Sequence, residues 1–310
     1  MRFLIFGTGC VGQVYGGFLH RAGHDVTFLA RPEQRMELEE KGISLVAESN
    51  EPGPDVSISD ARFIDHLESM QDFDFVFVCV RADQRTEALA AFEPHDCSQK
   101  GVIITFPAWR PTLEPWRALF GSCHYMFPGV MAVFRDGDVV YRHSKTKLAP
   151  LFETLNEESE ALSAVLTQSG LLTEMDPALL KRFQTVIAMG FPILAAISTH
   201  NYNPESFAYD AKSLGLAAQG AKEGLAALKA AGESPAGLAY VVRLMPTFVI
   251  RFGLKWTSSM LSGFVREMLE VHFKKIHRQT LLLLGELAAL PGADTAHHPA
   301  IDELLRRAPE

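Results

Sequence analysis

Apolar positions in the first half of the chain fall in short dense runs, and the stretches between them carry the spaced apolar pattern of amphipathic helices. Strands are predicted at 2–6, 25–29, 73–80 and 102–106, and helices at 11–22 and 32–40, the second with Pro32 in its first turn. The run FDFVFVCV at 73–80 is apolar without alternation, as a strand covered on both faces must be. Two shorter apolar pieces, 43–46 and 56–58, read as a small excursion from the main sheet. Strand and helix signals at these spacings predict parallel crossover units. Past Gly121 the texture changes. Segments 126–134 and 139–143 flank Arg135-Asp136-Gly137-Asp138, where Asp-Gly is a hairpin-turn signal. From Asn156 onward the pattern is almost entirely helical, with breaks at Gly170, Asp176-Pro177, 201–204, 232–235 and 291–295. The expected fold is α/β: an N-terminal Rossmann-type doubly wound sheet over 1–175, then an all-α C-terminal domain over 176–310.

The join between the first strand and the first helix is the most informative point. It reads Gly7-Thr8-Gly9-Cys10-Val11-Gly12, a G-x-G-x-x-G turn in the strand-to-helix context that dinucleotide binding requires. Gly7 permits the sharp turn, Gly9 lets backbone approach a pyrophosphate, and Gly12 lets the helix lie close to the strand. The helix start then offers N–H groups to phosphate oxygens. About 20 residues further on, such folds read the adenosine ribose. An acid there suits NAD, whereas this chain has Ala30-Arg31 and no carboxylate before Glu33. Arg31 therefore reads as a clamp for the 2'-phosphate of NADP(H). Arg81 ends the buried run at the strand's carboxyl edge, where ligands bind in open parallel sheets.

Composition narrows the partners. The 310 residues are 47% hydrophobic and carry a net charge of -8, so there is no basic field for nucleic acid or an anionic membrane. Cys10, Cys79, Cys97 and Cys123 lack metal or disulfide spacing, and they read as reduced thiols of a cytoplasmic protein with no metal site. The apolar start is too short for a signal sequence. The longest other apolar stretch, 185–197, is shorter than a membrane span and contains Gly190 and Pro192. The apolar helical half leaves room for a homodimer.

The chain resembles the ketopantoate reductase (2-dehydropantoate 2-reductase) family, NADPH-dependent enzymes that reduce ketopantoate to pantoate in pantothenate biosynthesis. The glycine turn with Arg31 carries the resemblance. So do Val80-Arg81-Ala82-Asp83-Gln84, similar to the family's Val/Leu-Lys-Ala-x-Gln, Ser169-Gly170-Leu171 ahead of the helix with Lys181, and Ser258-Ser259-Met260-Leu261, similar to its serine-serine-methionine signature. The resemblance implies that Arg81 and Gln84 contact the cofactor, that Lys181 is the general acid, that Glu270 is the second acid with Glu267 as fallback, and that Ser259 binds substrate. Lys181 also follows the domain junction, where clefts form. The opposing readings are a surface lysine beside Arg182, and a Glu270 paired on the helix surface with Arg266 and Lys274 four residues away.

Several family asparagines are replaced. Phe106-Pro107-Ala108-Trp109 stands where Gln/His-Asn-Gly is usual, Thr185 stands four residues beyond the lysine, and Met189 or Gly190 stands further along that helix. His272 stands where the family often has aspartate. Thr185 is thus the expected substrate contact on the Lys181 face. Phe106, Trp109 and Met189 either line a more apolar pocket or belong to the core. The expected activity is NADPH-dependent reduction of a 2-keto acid or related small-molecule carbonyl. Two other readings remain: a different two-domain hydroxyacid or opine-type dehydrogenase, and an NADP-binding sensor or scaffold whose chemistry has decayed.

Overall fold

The computed structural model describes residues 1–48, 53–105, 109–126, 128–143, 150–151, 156–171, 173–175, 177–237, 239–261, 268–293 and 297–309. It divides into two compact units, Met1–Leu180 and Lys181–Glu310.

In the first unit, β1 (Arg2–Phe6), α1 (Cys10–Arg21), β2 (Asp25–Leu29) and α2 (Pro32–Lys41) follow the predicted order, with β3 (Ile43–Ala47), β4 (Val56–Ile58) and β5 (Arg62–Ile64) next. Then come β6 (Phe75–Val78), α3 (Arg85–Ala90), β7 (Gly101–Ile104), α4 (Arg110–Leu119), β8 (Ser122–Tyr125), β9 (Val130–Arg135) and β10 (Asp138–His143). The six-stranded sheet runs β5-β2-β1-β6-β7-β8, every pair parallel. Counting only its own strands, that is the order 3-2-1-4-5-6 of dinucleotide-binding sheets, with the switch point between β1 and β6.

Both faces of this sheet are covered, which explains the unbroken apolar runs. Phe3 and Ile5 of β1 join Phe28, Phe77 and Ile103 on one side, while Leu4 joins Val76, Val78, Val102 and Ile104 on the other. On the first side, α1 is shared between two sheets. Tyr15 stacks on Phe77 of β6 at 5.7 Å, and Phe18 meets Tyr141 of β10 edge-on at 5.5 Å.

Three expectations change. The excursion lies off the main sheet as expected but is not isolated: β3 pairs with β10 in a four-stranded sheet ordered β4-β3-β10-β9. The segment 126–134 is not one strand, because Ser122–Tyr125 is the sixth parallel strand and the hairpin strand starts at Val130. The buried His124 interrupts the apolar pattern there. The region after Asn156 holds, besides α5 (Glu157–Gln168), a short strand β12 (Glu174–Met175), which pairs parallel with β11 (Pro150–Leu151) from before Asn156. The hairpin turn is as predicted: Asp136 and Gly137 both take positive φ, 53° and 94°, as a type I′ turn demands.

The second unit is helical: most of α6 (Leu179–Ser198), then α7 (Pro204–Tyr209), α8 (Ala211–Ala230), α9 (Ala239–Leu244), α10 (Thr247–Ser259), a π-helical turn at Met268–Phe273, α11 (His277–Ala288) and α12 (Pro299–Arg307). The apolar stretch at 185–197 is longer than its sequence bounds, because Leu179 to Gln184 extend it into a 20-residue helix. By length and hydropathy (1.3) Leu180–Ser198 could cross a membrane, but 61% of that window is buried within the protein, as in a core helix.

Glu223, buried on α8, anchors α12. Its Oε2 accepts the N–H groups of Ala300 and Ile301 at 2.9 and 3.1 Å, and its Oε1 accepts from Gln219 at 3.1 Å. A carboxylate on the first turn of a helix satisfies orphan donors and opposes the positive end of the dipole. Glu223→Ala is expected to lose about 1.5–3 kcal/mol. Glu223→Gln keeps an acceptor oxygen and loses less. Urea midpoints of the three proteins check this, and an alanine variant as stable as wild type would rule the anchor out.

Candidate dinucleotide and substrate sites

The glycine turn sits at the carboxyl edge of β1, held by its neighbours on both sides. Gly7 N–H donates to Leu29 O of β2 at 3.2 Å, and Cys79 N–H, after β6, donates to Phe6 O at 2.8 Å. Gly7 has φ +104°, and a Cβ there would lie 2.9 Å from Val80 Cγ1. At Gly12 a Cβ would lie 2.0 Å from the Gly7 carbonyl oxygen, so helix and turn touch through backbone. Gly9 differs from both. Its φ of -69° and ψ of 177° suit any residue, and a Cβ there would meet no protein atom within 4 Å.

The protein's own packing therefore does not demand glycine at position 9, whereas close approach by a ligand does. As N-cap, Gly9 gives α1 no side-chain cap, and the first turn, with Cys10 and Val11, carries no acid. That leaves an electropositive helix start suited to phosphate. Gln13, buried on α1, donates from Nε2 to Thr8 O at 3.0 Å, and the Thr8 hydroxyl donates to Gln34 Oε1 at 3.3 Å. The turn is thus fixed from within. Burial pushes the Cys79 thiol up to about 12, so the sulfur beside the turn stays neutral.

Arg31 caps α2 just past β2; its side chain is exposed and enters no ion pair among the described residues. Its neighbour Arg35 is engaged with Glu39 and Asp65 at 2.8 and 3.0 Å. Arg81 stands where expected, beyond β6, but holds Asp83 through two bonds of 2.9 Å. Its backbone N–H donates to Gln84 Oε1 at 3.4 Å. The structure thus brings Gly7 to Gly12, Arg31, Arg81 and Gln84 to one sheet edge, with the Arg81 charge already answered by a carboxylate.

In the second unit, Lys181 is half-buried near the start of α6, and its ammonium enters no ion pair among the described residues. Thr185, one turn on, is buried with a committed hydroxyl: Oγ1 donates to Lys181 O at 2.7 Å and accepts Ala236 N–H at 2.9 Å. It ties α6 to the 232–237 loop. Gln184, which the sequence reading passed over, is 2% exposed, and its Oε1 has no hydrogen-bond partner among the described residues. A buried amide oxygen without a partner, three residues from Lys181, is suited to a ligand group.

Ser258 is buried and Ser259 is the last residue of α10; the Ser259 side chain lies outside the described part. Glu270 is exposed on the π-helical turn, and no pair with Lys274 forms. The wider π turn removes the four-residue alignment on which that pairing depends, and such turns are frequent at functional sites. Burial holds the neighbouring His272 below its ordinary value, with Lys275 adding to the shift. Glu267, Arg266 and Phe106-Pro107-Ala108 lie outside the described residues. Trp109 is fully buried and precedes α4, which favours the core reading.

A parallel sheet of this order with a glycine turn at its switch point, followed by a helical unit, is the build of dinucleotide-dependent dehydrogenases. Residues 3–110 match the family model of ketopantoate reductase PanE/ApbA. Over those residues the chain is similar to that family of oxidoreductases. An uncharacterized oxidoreductase of Bacillus subtilis (strain 168), YkpB, is 33% identical over 106 residues, a stretch spanning 34% of this chain and 33% of that one. The chain thus matches about a third of the length of this curated relative.

Solved structures resemble the fold over nearly the whole chain. A PanE/ApbA family ketopantoate reductase from Ralstonia eutropha JMP134 has a TM-score of 0.73 at 18% identity, covering 99% of this chain and 96% of that one. D-mandelate dehydrogenase with NADH and anilino(oxo)acetate has 0.73 at 13%, covering 99% and 97%. Yersinopine dehydrogenase with NADP+ bound has 0.74 at 13%, covering 99% and 90%.

Proposed function

We propose that this protein is an NADPH-dependent reductase of a 2-keto acid or related carbonyl, with 2-dehydropantoate to pantoate the nearest named reaction, acting in the cytoplasm. The observation that carries the cofactor reading is Arg31: a cation that enters no ion pair among the described residues, just past β2, where the sequence has no carboxylate before Glu33 to bond a ribose hydroxyl. Solved proteins of this fold are known with either NADH or NADP+, so the choice rests on this chain's own residues. Gly9 and the uncapped start of α1 would take the pyrophosphate, and Arg31 the 2'-phosphate. Arg81 and Gln84 would border the same edge.

A reduced nicotinamide, when bound, supplies the hydride. As negative charge grows on the substrate carbonyl oxygen, the Lys181 ammonium stabilises it and delivers a proton. Gln184 supplies the amide that the asparagine four residues beyond the lysine provides in the family, since Thr185 is tied to Lys181 O and Ala236 N. Ser259 and Glu270 complete the substrate contacts. Because the amide is displaced by one position, the preferred carbonyl need not be ketopantoate.

Two measurements test this reading. Titration of intrinsic fluorescence should show NADPH binding more tightly than NADH. Arg31→Ala should weaken NADPH by about 10–100-fold, the worth of a charge-assisted hydrogen bond or two, and leave NADH unchanged. Equal affinity for the two cofactors in the wild type would end the Arg31 assignment. Gln184→Leu, which removes a buried amide oxygen with no partner among the described residues, should raise the melting temperature of the ligand-free protein while raising KM for the keto acid about tenfold. A fall in melting temperature would show that the amide has a structural partner.

A further inference from the structure

Two segments at the sheet edge share one pattern, arginine, any residue, acid, glutamine, arginine: Arg31-Pro32-Glu33-Gln34-Arg35 after β2 and Arg81-Ala82-Asp83-Gln84-Arg85 after β6. Strands β2 and β6 flank β1 in the sheet, so the two segments stand on either side of the glycine turn. Each opens a helical turn with its first arginine as N-cap, in nearly the same backbone conformation: φ -64° and ψ 150° at Arg31, φ -66° and ψ 159° at Arg81. Their side chains are used differently. At 81–85 the segment closes on itself, because the Arg81 guanidinium holds Asp83, Gln84 Oε1 accepts the Arg81 N–H, and the buried Arg85 donates to Ala82 O at 3.2 Å. At 31–35 none of the corresponding bonds forms among the described residues. Arg31 makes no pair with Glu33, and Arg35 turns to Glu39 and Asp65. Gln34 Oε1 accepts instead from the hydroxyl of Thr8, the buried residue between Gly7 and Gly9, at 3.3 Å.

That bond decides what the Gln34 amide has left to offer. With Oε1 spent on the turn, Nε2 keeps two N–H groups that have no partner among the described residues, in the first turn of the helix that Arg31 caps. We propose that Gln34 is a specificity-determining residue of the cofactor site, donating from Nε2 to the 2'-phosphate of NADP(H) alongside Arg31, with Thr8 positioning its amide. The inference rests on the NADPH reading above. A phosphate monoester presents three strong acceptor oxygens, of which a guanidinium fork takes two. The amide supplies a further donor. Its bond to a charged phosphate is about twice as strong as one to the ribose hydroxyl that NADH offers there, so it adds to the preference as well as to the affinity. A carboxylate at position 34 would do the reverse, accepting from Thr8 and from a ribose hydroxyl while repelling the phosphate.

Fluorescence titration of the full chain with NADPH and with NADH tests the assignment. Gln34→Leu should bind NADPH about tenfold more weakly and NADH within about twofold of wild type. Gln34→Glu, which keeps an acceptor for Thr8 and suits the first turn of a helix, should bind NADPH about 100-fold more weakly and reverse the cofactor preference. A bond that only braces the turn would weaken both cofactors alike in Gln34→Leu, and that result would overturn the proposal. A wild type with no preference for NADPH would overturn the Arg31 reading and this inference together. A wild-type preference that is lost in Arg31→Ala but survives both Gln34 substitutions would overturn this inference alone.

Discussion

Alanine at Gly9 is expected to leave the ligand-free protein at least as stable as wild type and to weaken NADPH binding about 100-fold. The backbone at Gly9 is extended and open to any residue, and the added methyl would meet nothing within 4 Å. Under those conditions glycine-to-alanine changes stabilise by about 0.4–1 kcal/mol, because the unfolded chain loses freedom. The methyl would nevertheless stand at the helix start where a pyrophosphate must come against the backbone. Losing two charge-assisted hydrogen bonds there accounts for the affinity. Gly12→Ala provides the contrast, since its methyl would be driven to 2.0 Å from the Gly7 carbonyl oxygen, which cannot move without opening the turn. That variant should lose about 3 kcal/mol of stability, at the upper end of the usual cost of overpacking. Thermal melts with and without NADPH separate the two cases. A Gly9→Ala protein that binds like wild type would remove the turn from cofactor binding.

The second large effect belongs to Lys181. Removing a general acid costs about 10²–10⁴ in rate. Lys181→Ala should fall by that factor in kcat with NADPH affinity unchanged, because Lys181 lies outside the glycine-turn unit. Lys181→Arg should be nearly as slow, since a guanidinium keeps the charge but does not release its proton at neutral pH. Single-turnover kinetics at saturating cofactor read this directly. A normal rate in Lys181→Ala would make it the surface lysine that its place beside Arg182 also allows.

The nucleotide half was legible because its physics is local. The bounds of β1 and β2, the steric roles of Gly7 and Gly12, and the Asp136-Gly137 turn all follow from short-range sterics. Strands β5 and β8 escaped because Arg62 and His124 break their short apolar runs, and only pairing in the sheet defines them. The partnership of β3 with β10 spans too much chain for any periodicity to show.

The substrate half depends on side-chain facts that spacing does not contain. Adjacent Gln184 and Thr185 look interchangeable in sequence, yet one has its hydroxyl spent on Lys181 O and Ala236 N and the other buries an unanswered amide. Glu270 looked like half of a helix-surface ion pair until the π turn changed the spacing. The bond between Arg81 and Asp83 likewise depends on the bend after β6 rather than on composition.

The most direct test of the central reading is oxidation of NADPH by the purified wild type against a panel of 2-keto acids that includes ketopantoate, with NADH run in parallel. Turnover of at least one acid, at least tenfold more efficient with NADPH than with NADH, is the predicted result. No oxidation with any acid, or equal rates with the two cofactors, would contradict it.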